Sequence, residues 1–160
     1  MLNYLSPLLY VQLSPDRLSV RNVKTGVTIA ERPDIAVSQK PRRIIIAVGD
    51  NAQVAAQASG ALLLNPFAHP RSIISDFTTA EQVLKHFVKR SLGNGVFSMA
   101  PRIVMHPMGE PEGGFTQVEM RALRELGEAV GASKVGLWTG KAANDKELLD
   151  SRTIYEGWSA

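Results

Sequence analysis

Cysteine is missing from all 160 residues, which removes disulfides, thiol nucleophiles and thiolate metal centres together. Histidine is scarce: His69, His86 and His106 stand at spacings that match no His-based zinc pattern, and no Asp-rich calcium loop is present. No metal site is expected. Long apolar runs are missing as well, since no stretch approaches the roughly 20 residues that a membrane-spanning helix needs. The start, "MLNYLSPLLYVQL", lacks a basic n-region and a small-residue cleavage site. Its first residues also lack the Lys and Arg of an interfacial helix and include Pro7. These absences lead us to expect a soluble, cytoplasmic chain without a membrane span. Charge is moderate, 21% of residues with a net +3, which weakly favours an anionic partner.

What is present is apolar content of 44%, enough for one compact domain with a real core and too short a chain for two. Leu9, Val11 and Leu13, then Leu18, Val20 and Asn22, then Val27 and Ile29 alternate as three antiparallel strands over 9–13, 17–23 and 26–31. "RPDIAVSQKPRR" is a connector with a short edge strand at 35–37, and "RIIIAVG" (43–49) has the continuous apolar run of a strand buried on both faces. "DNAQVAAQAS" (50–59) predicts a short helix.

The capping-box pattern Thr78-x-x-Glu81 opens a helix over 78–92, with Val83, Leu84, Phe87 and Val88 on its buried face and Gly93 at its end. A second capping box, Thr116-x-x-Glu119, opens a helix with the apolar stripe Val118, Ala122, Leu126, Ala129 and Val130, closed by Gly131. Strands at 101–106 and 134–138 flank it, so this crossover makes them parallel, and we place both parallel to the first strand. "AANDKELLD" predicts a last helix, and Ile154, Tyr155 and Trp158 are candidates to dock the end of the chain. The fold class is α/β, a mixed sheet of about five strands with helices on both faces.

Three ordered stretches, "RIVMHPMGEPEGGFTQVEMRALRELGEAVGASKVGLW", "SIISDFTTAEQVLKHFVKR" and "IIIAVGDNAQ", resemble one family, the bacterial rod shape-determining actin homologues of the MreB type. The first is similar to that family's strand, Gly-Thr-x-x-Glu-Arg-Arg-Ala turn and helix ending Gly-Ala-x-x-Val. The other two resemble two upstream family segments, and together the matches cover roughly 43–138. The resemblance implies an actin-like, ribonuclease H-like domain over 1–160 with a small subdomain at roughly 32–70. In that family ATP lies between two such domains, and monomers polymerise into filaments that organise wall synthesis. No residues of this chain correspond to the second domain.

The remaining scarcity is glycine in the first turn. The family's first phosphate loop reads Asp-Leu-Gly-Thr-x-Asn, whereas Gln12-Leu13-Ser14-Pro15-Asp16-Arg17 stands in its place. Gln12 is neutral where an acid would organise magnesium, Ser14 replaces glycine, Pro15 has no N–H, and Asp16 places a carboxylate where an anion would sit. An exposed turn arginine is the preferred reading of Arg17 over a phosphate ligand. Glu119 matches the family's water-orienting glutamate, yet the capping box accounts for it without any ligand. "GEPEGG" is glycine-rich but carries Glu110 and Glu112, which repel phosphate. His106 has no Ser or Asp placed by sequence to complete a catalytic set, and His86 with Lys85, Lys89 and Arg90 is read as a solvated basic face before a docking patch.

The expectation is a non-catalytic, single-domain relative that acts through a protein partner, including the full-length actin homologue, and needs no cofactor. The alternatives are an ATP and magnesium site completed by another chain, and a nucleic-acid-binding ribonuclease H-like domain. The last is disfavoured because Gln12 stands at the first-strand position where such nucleases carry a metal-binding acid.

Overall fold

The computed structural model describes residues 6–93 and 99–150. Ile154, Tyr155 and Trp158, proposed above to dock, lie outside the described residues, as do residues 1–5. In chain order the elements are β1 (Leu8–Leu13), β2 (Leu18–Asn22), β3 (Thr28–Glu31), β4 (Ile35–Ser38), β5 (Ile44–Val48), α1 (Ala52–Ser59) and β6 (Leu62–Leu64). There follow α2 (Phe77–Leu92), β7 (Arg102–Pro107), α3 (Gln117–Ala129), β8 (Lys134–Leu137) and α4 (Asp145–Leu149).

The meander β1 to β3 is antiparallel, and β7 pairs parallel to β1 and β8 parallel to β7, giving the sheet order β3-β2-β1-β7-β8. Alternation decides the faces. Leu9, Val11, Leu13, Leu18, Val20, Ile103 and Met105 point to one side, where they form the main core with Val83, Leu84 and Phe87 of α2 and Leu123 and Leu126 of α3. Leu8, Tyr10 and Val104 point to the other, covered by Ala143 and by Leu148 of α4, with Trp138 against them. The mixed sheet with helices on both faces is therefore present.

Three sequence expectations are corrected. The run at 43–49 is not buried on both faces: Ile44, Ile45 and Ile46 are 42%, 42% and 44% exposed. A second sheet of order β5-β4-β6 exists, and its central strand is β4, whose Ile35, Ala36 and Val37 are wholly buried. The stretch expected at an edge is central and the stretch expected at the centre is an edge. An apolar run states hydrophobicity but not the number of neighbours, so the two roles exchange without violating either pattern.

Second, α2 is capped by Asp76, whose side chain accepts from the Thr79 amide at 3.2 Å and the Thr79 hydroxyl at 2.6 Å. Helix therefore begins before Thr78, and Thr79 holds the third helical position that Glu81 was expected to occupy. Third, Val118 is 78% exposed and Ala129 is exposed, and the buried face of α3 is Met120, Leu123, Leu126 and Gly127. Gly127 lets α3 approach β8 closely, because a Cβ there would lie 2.8 and 3.0 Å from the two methyls of Val135.

That contact yields a test. Gly127→Ala adds a methyl to a filled interface between α3 and β8, and overpacking of this kind costs about 1–3 kcal/mol, more than the helix propensity of alanine returns. Chemical denaturation of the variant is expected to show a lowered midpoint. An unchanged or raised midpoint means that α3 and β8 do not pack this closely.

Candidate functional site

The parallel strands β1, β7 and β8 end at Leu13, Pro107 and Leu137, all at one edge of the sheet. The crevice outside the carboxyl ends of parallel strands is where open α/β sheets bind ligands. Two adjoining cavities lie there. One of about 350 Å³ is enclosed by Ser14 and Pro15 of the first turn, by the 67–73 segment, by Pro107 to Pro111, and by Phe115 and Glu119. The other, about 1080 Å³, lies between the 109–114 loop, Met120, Arg121 and Arg124 of α3, and Leu137, Thr139 and Gly140 after β8. The 67–73 segment is a wall that the sequence reading did not identify, since it has no periodicity and reaches the site through tertiary contacts.

Within this crevice the first turn is closed on itself. The Ser14 amide donates to the Arg17 carbonyl at 3.0 Å, and the Arg17 amide donates to Ser14 Oγ at 3.1 Å. The Ser14 hydroxyl donates to the Arg17 carbonyl at 3.1 Å. Pro15 has no N–H, and its carbonyl accepts from Asn65 Nδ2 at 2.7 Å, which ties the turn to the end of β6. Gln12, half-buried, points its amide at Met108 Sδ, 3.6 Å away. The Asp16 side chain is 89% exposed, with Arg32 3.8 Å from it, and Arg17 is exposed. Serine and proline thus build a tight turn without glycine, with the Ser14 and Arg17 amides bonded internally.

Glu119 sits at the mouth of the smaller cavity with its carboxylate engaged. Its Oε2 accepts the Thr116 amide at 2.9 Å and lies 3.2 Å from the Thr116 hydroxyl, while the Glu119 amide donates to that hydroxyl at 3.1 Å. This is the reciprocal capping box expected from the sequence. Among the described residues, no three His, Asp or Glu converge into a metal-holding group.

His106 is fully buried, and its surroundings define its protonation. Nε2 lies 2.9 Å from the Gly140 carbonyl, which only accepts, so Nε2 carries the proton. Nδ1, 2.6 Å from Tyr10 Oη, therefore accepts from the tyrosine, whose oxygen accepts the Ala143 amide at 3.0 Å. Burial pushes the His106 pKa below the usual histidine value, against the opposing effect of the Gly140 bond. Burial likewise raises Tyr10, partly offset by the Ala143 bond. The chain of bonds holds residues 140–143 over the sheet, and the Arg21–Asp145 ion pair anchors the α4 that follows. No sequence signal marks this network, because Tyr10 and His106 are 96 residues apart.

The other histidines lie outside this network, although His69 lines the smaller cavity. His69 Nδ1 accepts from the Arg71 amide at 3.1 Å. His86 is exposed on α2 and lowered in pKa by desolvation and then by the Arg90 charge. Arg90 pairs with Glu31, whose pKa that bond lowers, so the expected basic face of α2 is in part an internal ion pair.

Two outcomes follow. Thr116→Ala and Glu119→Ala should each lower stability by about 0.5–2 kcal/mol, and the double variant should lose less than the sum, because the two side chains form one capping unit. Thermal melts of the three proteins check this, and unchanged melting of both single variants would leave Glu119 without its structural role. For His106, the folded pKa lies below the unfolded one, so its contribution is fully present above the ordinary histidine pKa of about 6.5 and is lost as pH falls through the lower folded value. Melting temperature is expected to fall more steeply across that window in the parent than in His106→Gln. Parallel pH profiles would remove His106 from the account.

Comparison with known proteins agrees with this architecture. The MreB/Mbl protein family matches residues 11–144. The cell shape-determining protein MreB of Escherichia coli (strain K12) is 30% identical over 118 residues, covering 70% of this chain and 32% of that protein. The cell shape-determining protein Mbl of Bacillus subtilis (strain 168) is 26% identical over 118 residues, covering 72% and 33%. The chain thus spans about a third of the length of these relatives. MreB5 of Spiroplasma citri bound to AMPPNP superposes with a TM-score of 0.66 at 20% identity, over 84% of this chain and 38% of the other. A non-polymerising MamK mutant bound to AMPPNP gives 0.66 at 15%, over 84% and 41%. These likenesses show an actin-like fold, and the match over 11–144 places the chain in the MreB/Mbl family of bacterial actin homologues.

Proposed function

We propose that this chain is a nucleotide-independent member of its family, a single actin-like domain over 1–160 that acts on the cell-shape cytoskeleton through protein contacts. In this reading β4, β5, β6 and α1 are the small subdomain expected over roughly 32–70. The observation that carries the reading is the first turn. A phosphate is held by backbone N–H groups aimed outward and by nearby cations or a metal. Here the Ser14 and Arg17 amides are bonded inside the turn, and Pro15 has none. Asp16 adds a carboxylate beside it. Gln12 offers a neutral amide where magnesium would need an acid, and the Glu119 carboxylate already accepts from Thr116. The residues present at this turn do not fit a nucleotide's phosphates.

A second reading, an ATP cleft completed by another chain, draws on the cavity of about 1080 Å³ beside α3 and on the AMPPNP held by the MreB5 and MamK structures. Glu119 would then orient water.

Calorimetric titration with ATP and magnesium separates the two, alone and with a full-length family member present, together with a phosphate-release assay and co-sedimentation. The first reading expects no tight binding, no turnover and co-sedimentation with the full-length homologue. Losing one oxyanion-type donor typically costs about 100-fold or more in rate, so the several losses at this turn leave no measurable hydrolysis. Tight binding by the chain alone would overturn the first reading, and turnover in the presence of the second chain that Glu119→Ala abolishes would establish the second.

A further inference from the structure

We propose that the outer edge of β5, together with the basic hairpin tip before it, docks an extended segment of a partner protein in which a short apolar run adjoins Asp or Glu residues. This rests on the protein-contact reading above and names the chemistry of one such contact. In the order β5-β4-β6 one side of β5 is paired with β4, and among the described residues no strand pairs with the other. An open edge presents backbone donors and acceptors to an incoming strand.

Edges kept from pairing usually carry charge or proline along the strand. This one carries Ile44, Ile45 and Ile46, exposed by 42%, 42% and 44%. The cations stand at the tip, where Lys40, Arg42 and Arg43 are exposed. Arg43 donates to Thr79 Oγ1 at 3.1 Å and to Gln82 Oε1 at 3.0 Å, fixing the tip against the start of α2. Lys85 and Lys89 are exposed on α2 three and seven positions beyond Gln82, on the same helix face. The acids in that turn are Glu81, half-buried, and Asp76, whose carboxylate accepts from the Thr79 hydroxyl that Arg43 also bonds and is itself influenced by the Arg43 charge. An apolar edge with exposed cations at its tip is complementary to a strand whose apolar run pairs with the isoleucines and whose adjoining acids reach the tip.

The order of charge and hydrophobe decides the class of partner. A loop that enters a lipid surface carries its apolar residues foremost and its cations behind. Here Lys40-Pro41-Arg42-Arg43 is foremost, and the isoleucines lie behind it on the strand. Single-stranded nucleic acid is held by aromatic stacking beside cations, and this edge has no aromatic residue. The register shift opposite Ala36 and Val37 leaves Ile46 outside the β4 ladder, so the regular edge is the stretch before it, 43–45.

The test uses the full chain and synthetic peptides of about eight residues, a length that forms one strand. One joins a run of Val to a run of Asp, a second replaces Asp by Lys, and vesicles of anionic lipid form a third arm. Fluorescence anisotropy reads binding, and amide exchange locates it. The acidic peptide is expected to bind, to weaken with salt and to slow exchange in β5. Ile45→Lys and Arg42→Glu, each checked for retained circular dichroism and melting, are expected to weaken it about tenfold or more. Arg42 lies on the exposed tip, so its variant keeps the test informative if Ile45→Lys does not fold.

Equal binding of the lysine peptide, preference for vesicles, or unchanged β5 exchange would overturn the proposal. So would a self-association abolished by Arg42→Glu, since the occupant would then be a second copy. If the acidic peptide fails while co-sedimentation with a full-length homologue persists, the edge assignment falls and the protein-contact reading stands. If both fail, both fall.

Discussion

The fold depends on one pairing, β1 beside β7. Leu8 to Leu13 match Arg102 to Pro107 residue for residue in parallel register, and this ladder joins the meander to the strand-helix-strand unit that follows it. Parallel strands cannot be linked by a hairpin, so the pairing requires the long connection that contains the second sheet and α2. It also aligns the ends of β1 and β7, which sets the first turn, the 107–111 loop and Glu119 around one crevice. Across the same ladder Tyr10 meets His106, and that contact holds the segment after β8 over the opposite face. Core, crevice and cover all depend on this register.

At the crevice the chemistry is decided by where the donors point. A turn can be made tight by glycine, which leaves its amides free to face a ligand, or by internal hydrogen bonds, which do not. Ser14 and Arg17 take the second course, and Pro15 is compatible with it because it contributes no amide. The same economy holds at Glu119, where one carboxylate oxygen accepts from Thr116 and caps α3. What stands open is elsewhere, along the isoleucine edge of β5. This distribution, with Ser14, Arg17 and Glu119 bonded internally and an apolar edge elsewhere, is the basis on which we propose protein contact over nucleotide contact.

Much of this was legible in the residues. Period-two alternation located β1 and β2, and the Thr116–Glu119 spacing located the start of α3, because both signals are local. The exchange of roles between β4 and β5 was not legible, since burial of a strand depends on its neighbours and "RIIIAVG" reads alike at a centre or an edge. The cap of α2 was misplaced by two residues because Asp76 and Thr78 both precede plausible helix, and the choice between them is made by geometry. The Tyr10–His106 network was invisible for a different reason: each partner is ordinary in its own stretch, and only the β1–β7 register brings them together. At the site, the residues of the first turn were readable one by one. The internal bonding of the Ser14 and Arg17 amides was not.

The central claim is that the Ser14 and Arg17 amides are engaged within the first turn. Site-resolved amide hydrogen exchange at Ser14 and Arg17, with and without ATP and magnesium, tests this most directly. The account predicts that both amides are protected in the absence of nucleotide and that their exchange and chemical shifts do not change when it is added. Fast exchange at both positions, or saturable shifts confined to Ser14, Asp16 and Arg17 on addition of ATP, would contradict it.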